Sequence, residues 1–196
     1  MNKIFYVDVE TTGTKYQEHD IIQLAAIIEI DGKVEDRFCY DIKPYRIDNV
    51  NEEALKIQGL TLEDLQLGFE PAAVYGKLIK KLEKYVDRYN KEDKFYPAGY
   101  NTRFDCQFLK QFFEKNKDKY YGSWFNWNLI DPFPVLHFLD YMGVVQLQNY
   151  KLGHVCEVFG ISIDQAHNAK SDIEATRELI KMTEEMLRKG TDNLKQ

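Results

Sequence analysis

Three stretches rich in β-branched and aromatic residues crowd the first 42 positions, and they restrict the fold more than anything that follows. Residues 3–9 (KIFYVDV), 21–30 (IIQLAAIIEI) and 34–42 (VEDRFCYDI) have the length and composition of strands. Asp31-Gly32-Lys33, between the last two, has the chemistry of a hairpin turn. An antiparallel meander therefore opens the chain. From about residue 51 the spacing turns helical, with Thr61 and the Glu70-Pro71 pair as start signals. Residues 94–100 (KFYPAGY) read as one more strand, feeding a helix at 102–115 (TRFDCQFLKQFFEK). Helical patterns follow at 132–142, at 150–160 and from about Ser171 to Lys189. Strands first, then helices around one further strand, predict an α/β protein with a mixed central sheet and helices packed on it.

A chain of 196 residues, 44% of them apolar, suits one core. No repeat, low-complexity tract or Gly/Ser/Pro-rich linker marks an internal boundary, so residues 1–190 are expected to form a single domain and 191–196 a short tail. The net charge of -6 argues against general basicity that coats a phosphate backbone. It does not exclude a nucleic-acid enzyme, because acids that hold divalent cations count here as bare negative charge. Cys39, Cys106 and Cys156 are few, odd in number and unclustered, which argues against a disulfide framework or a thiolate zinc site. No apolar run reaches membrane-spanning length, and the first strand follows Met1 too closely for a leader peptide. A reducing cytoplasm is the expected setting.

Acids stand at three kinds of position. Side chains alternate across a strand, so Asp8 and Glu10 leave one face, with Cα atoms roughly 6.5 to 7 Å apart, close enough to share one ion or two neighbouring ions. About five acid pairs at this spacing are expected by composition alone, so the pair identifies nothing by itself. An exposed acidic strand face is the alternative. Asp105 falls in the first turn of the helix after residues 94–100. There it would also complement a cap by Asn101 or Thr102 and the helix dipole. His167 and Asp172 lie five residues apart, about 140° around a helix, so His167 belongs in the loop and Asp172 in the first turn of the last helix. Ser171 and Glu174 have capping-box spacing, which leaves a structural role open for Asp172.

Taken together, the segments DVETTG (8–13), YNTRFDCQFL (100–109) and AHNAKSD (166–172) resemble the three motifs of the DEDDh family of 3'-5' exonucleases. IIQLAAI, GLTLEDL and YKLGHVCEVFGI are further family-like pieces, and the similarity runs along almost the whole chain. It is nearest to the proofreading exonucleases of bacterial replicative DNA polymerases, here without a polymerase domain. A sister group carries tyrosine four residues before the last acid. Asn168 stands there, and His167 five residues before favours the histidine version.

The resemblance implies a ribonuclease H-like fold and hydrolysis of phosphodiester bonds at the 3' end of single-stranded or frayed DNA, using two divalent ions, Mg²⁺ or Mn²⁺. It implies Asp8, Glu10, Asp105 and Asp172 as metal ligands and His167 as general base, with Asp8 bridging both ions. Thr11, Thr12, Gly13 and Asn101 would meet the terminal nucleotide, and a polymerase is a possible partner. An RNA 3'-end-trimming enzyme of the same fold and a noncatalytic nucleic-acid-binding or polymerase-associated module are the alternatives. Several positions depart from the family pattern. Thr14 replaces a bulky apolar residue, Tyr100 and Gln58 replace frequent histidines, and Pro132 follows Asp131 where threonine is commoner, which leaves the role of Asp131 open. The aromatic run 120–128 (YYGSWFNWN) offers stacking faces for unpaired bases or a loop packed by its own rings. Arg103 and Lys170 are candidates for phosphate contacts or solvated helix-start charges.

Overall fold

A computed structural model describes residues 2–163 and 168–192. The sheet has four strands in the order β3-β2-β1-β4: β1 (Lys3–Thr11), β2 (Ile21–Ile30), β3 (Lys33–Asp41) and β4 (Tyr96–Ala98). The first three form the antiparallel meander, and β4 lies parallel to β1 over three residues only. β2 is interior and buried on both faces, which accounts for its nearly unbroken apolar run. Parallel β4 requires a crossover, supplied by α1 (Glu52–Gln58), α2 (Leu62–Leu65) and α3 (Pro71–Leu82). Thr61 and Asp64 close a capping box at the start of α2, and Pro71 occupies the first turn of α3.

Two layers of helices cover the sheet. On one face, Phe5, Val7 and Val9 of β1 pack with α3 and with α4 (Thr102–Lys115), whose inner stripe is Phe108, Leu109, Phe112 and Phe113. On the other, Tyr6, Ala25 and Ile27 meet Ile173 and Ile180 of α7 (Ala169–Asp192), flanked by α5 (Pro132–Tyr141) and α6 (Leu152–Phe159). The alternation along β1 therefore sends Asp8 and Glu10 toward α7.

Three boundaries differ from the sequence expectation. The strand expected over 94–100 shrinks to Tyr96–Ala98, because Gly99 donates its amide to the Ile130 carbonyl and the chain turns away from β1. α7 starts at Ala169, because Asn168 rather than Ser171 caps it: Asn168 Oδ1 accepts the Lys170 amide at 3.1 Å. Glu174, the expected partner of Ser171 in a capping box, pairs instead with Arg37 at 2.8 Å. At its other end α7 runs to Asp192, three residues beyond the helix end expected at Lys189.

Candidate active site

The site forms where β4 stops. β1 pairs with β4 only through Tyr6, so its edge is free of a strand neighbour from Val7 onward. The Val9 amide on that stretch is taken by Asp105 Oδ1 at 3.0 Å, from the first turn of α4. Asp105 is 4% exposed, so this bond satisfies a buried amide and fixes the carboxylate beside β1. The expected cap is absent, since neither Asn101 nor Thr102 caps α4 with its side chain. Asp131 does the work: its two oxygens accept the amides of Asn101 (3.1 Å) and Thr102 (2.9 Å), and Oδ1 also accepts that of Phe133 at the start of α5. One carboxylate thus holds two helix starts, which answers the question left open for Asp131. Asn101 sits at φ 59°, in the left-handed region that asparagine tolerates better than most residues, and its side chain is exposed.

Opposite Glu10 in the β1–β2 register lies Gln23. Its Oε1 accepts the Ala169 amide at 2.9 Å while its Nε2 donates to Asp41 at 2.7 Å. This amide pins the first turn of α7 above β1 and brings Asp172 over the acidic pair. One ligand atom from each of Asp8, Glu10 and Asp172 lies within 4.8 Å of the others. Asp105 stands outside this trio.

The electrostatics follow from crowding. Burial, then the charges of Asp105, Glu10 and Asp172, push the Asp8 carboxyl well above the usual range. Burial and Asp172 lift Glu10 to about 7, opposed by a hydrogen bond from Gln58. Burial also raises Asp105 despite the Val9 amide. Gln58 Nε2 donates to Glu10 Oε2 (2.9 Å) and to the Thr11 carbonyl (3.2 Å). Both partners are acceptors, so the amide has one orientation, and Gln58 Oε1 is left buried without a hydrogen bond. The trio of Asp8, Glu10 and Asp172 forms an oxygen-only donor set suited to hard divalent cations, which relieve the repulsion that raises Asp8 and Glu10.

The expected substrate contacts divide. Thr12 is fully buried, its amide donates to the Asp20 carbonyl at 2.9 Å, and its hydroxyl accepts the Asp20 amide. The amide expected to meet a nucleotide is thus used to close the β1–β2 loop. Thr11 Oγ1 donates to the Gly13 carbonyl at 2.8 Å, just past a bulge between Glu10 and Thr11. A Cβ on Gly13 would stand 2.4 Å from the His19 ring, so the close approach this glycine permits is to His19. Tyr100 donates to the Tyr150 carbonyl at 2.7 Å, a tether for the segment before α6. His167 lies outside the described residues. Sequence reasoning missed Gln23 as a positioning group. Its one signal was a polar residue interrupting the apolar run of β2.

A mixed sheet with an acidic trio at the open edge of its first strand defines a carboxylate-rich site with a donor set that could hold a cation, on a ribonuclease H-like fold. Residues 5–180 match the Exonuclease family, and the chain belongs to it. Ribonuclease T of Histophilus somni is 28% identical over 180 residues, covering 88% of this chain and 79% of that protein. The PolC-type DNA polymerase III of Bacillus cereus is 27% identical over 184 residues, 93% of this chain and 11% of the polymerase. E. coli exonuclease I, solved in complex with a dT13 oligonucleotide, superposes with a TM-score of 0.81 at 22% identity, over 99% of this chain and 43% of that one. The chain thus spans about a tenth of the polymerase and less than half of exonuclease I. Among the described residues no helix is long and apolar enough to cross a membrane.

Proposed function

We propose that this chain is a 3'-5' exonuclease that hydrolyses the terminal phosphodiester of single-stranded or frayed DNA with two divalent ions, Mg²⁺ or Mn²⁺. The observation that carries the reading is the convergence of Asp8, Glu10 and Asp172, from two distant segments, within 4.8 Å. Asp8, Glu10, Asp172 and, beside them, Asp105 would hold the ions. When bound, such ions neutralise the charge that builds on the attacking and leaving oxygens of an in-line displacement. The chain's own residues do the rest. Gln23 and Asp131 set the two helix starts that deliver Asp172 and Asp105. Gln58 orients Glu10, and its unpartnered Oε1 offers an acceptor beside it. His167, whose imidazole accepts a proton near neutral pH, would take the proton of the attacking water. Thr11, Gly13 and Asn101 would border the terminal nucleotide. The exonuclease domain would run from 1 to about 190, and a polymerase partner and a cytoplasmic setting go with this reading.

RNA 3'-end trimming is a second reading, favoured by the similarity to ribonuclease T over 79% of that protein's length. Oligonucleotides of DNA and RNA labelled at either end, incubated with Mg²⁺ or Mn²⁺, test both. Stepwise shortening of 5'-labelled strands is expected, faster for DNA. Faster shortening of RNA reverses the substrate assignment, and intact strands of both kinds overturn the enzymatic reading.

A further inference from the structure

The outward face of α4 carries Arg103, Gln107, Lys110 and Glu114, a stripe at helical spacing. This stripe floors a cleft of about 550 Å³ walled by Tyr16 from the β1–β2 loop and by Trp127. The aromatic run 120–128 is split by its surroundings. Tyr121, Trp124 and Phe125 are buried in the core, whereas Trp127 is 69% exposed and turned to the cleft. Lys110 Nζ lies 5.8 Å from the Trp127 ring centroid. Neither Arg103 nor Lys110 forms an ion pair among the described residues. Unneutralised cations in a chain of net charge -6 are therefore gathered where an aromatic face stands open. Arg103 shares the first turn of α4 with Asp105, so one end of the cleft lies at the helix start that also carries a site carboxylate, and the other lies at Glu114, an acid that repels phosphate.

We propose that this cleft holds the single strand directly behind the end presented to the carboxylates, with a base stacked on Trp127 and phosphates against Arg103 and Lys110. The proposal rests on the nuclease reading and extends it to the path of the substrate. A stacking face with two point charges tolerates any base and rejects a duplex, whose bases are already stacked.

The chain has two tryptophans, and Trp124 is fully buried and out of reach of an added strand, so contact quenching by an oligonucleotide reports on Trp127. Titration with a 12-nucleotide oligothymidylate, with chelator present to keep it intact, is expected to quench Trp127 emission. Thymidine monophosphate is expected to quench it far less. Trp127→Ala, followed by anisotropy of a labelled 12-mer, should weaken binding roughly tenfold, the scale of one lost base stack. Lys110→Ala should flatten the log–log salt dependence by about 0.7, one single-strand phosphate contact. Tyr89→Ala, an exposed aromatic outside the cleft, should leave both unchanged. Hydrolysis of the 12-mer in Mg²⁺ without quenching in chelator, or Trp127→Ala binding within twofold of wild type, overturns the cleft and spares the nuclease reading. Quenching without hydrolysis in Mg²⁺ or Mn²⁺ supports the cleft and overturns that reading.

Discussion

α7 covers acids of the sheet in two places, and it treats them oppositely. Over β2 it lays Arg177 against Glu29, which is 3% exposed, with Nε donating at 2.9 Å and Lys181 alongside at 3.3 Å. One and a half turns earlier it lays Asp172 over Asp8 and Glu10, adding a like charge to two others. The first arrangement neutralises a buried charge and locks the helix to the sheet. The second crowds acids whose repulsion a bound cation relieves, or, at lower pH, a proton. A single helix thus separates a site that maintains the fold from one that the fold maintains at some loss of stability, and the sign of one side chain makes the difference.

Asp8→Ala should sharpen this contrast most. Hydrolysis is expected to fall by a factor of about a thousand or more, because the proposed bridge between the ions is lost. The apo protein should melt no lower than wild type, since a mutual repulsion is removed. A wild-type rate, or a clear drop in Tm, would break the comparison. Arg177→Met should do the reverse, destabilising by about 3 kcal/mol in urea unfolding, because the buried Glu29 is left with the half-exposed Lys181 alone. Adding Glu29→Met to it should recover most of that loss, and failure to recover would mean the pair is not the lock described.

The pH dependence comes next. Folded Glu10 holds its proton to about pH 7, against 4.5 for an ordinary glutamate. Between those values the unfolded chain has released the proton and the folded chain has not, so stability falls as pH rises and the loss is complete above about 7. Melting of the chelator-treated protein is expected to show this fall, and the difference from Glu10→Gln isolates it. Saturating Mn²⁺ should remove it. A wild-type and Glu10→Gln difference that does not vary from pH 4.5 to 7 would contradict the crowding. Gln58→Leu is the smallest effect. Removing the hydrogen bond that lowers the Glu10 pKa should move the rising limb of activity to higher pH by less than one unit, with stability little altered. An unmoved limb would place Gln58 outside the site.

Much of this was legible in local pattern. Strand alternation alone put Asp8 and Glu10 on one face, and helix starts at 102 and near 170 put Asp105 and Asp172 in first turns. The groups that aim those acids were not legible, because each acts across a long stretch of chain. Gln23 reaches Ala169 over 146 residues, Asp105 reaches Val9 over 96, and Gln58 reaches Glu10 over 48. Thr12 misled for a related reason. Its place in the motif suggested a free amide, and the return of Asp20 across the loop used it. The aromatic run 120–128 could be read as stacking surface or packing, and burial divides it residue by residue.

Period-two and period-3.6 spacing, with turn and cap chemistry, determined by themselves the meander, the helices and the placing of each acid at a strand face or helix start. These depend on neighbours within a few residues, which a linear text records. Only the tertiary structure decided that the acids of two distant segments meet, that Arg177 rather than a fourth acid faces Glu29, and that Trp127 turns to the cleft while Tyr121, Trp124 and Phe125 of the same run enter the core. Those outcomes depend on which helix start a single amide or carboxylate captures, and that choice exists only after the sheet has closed.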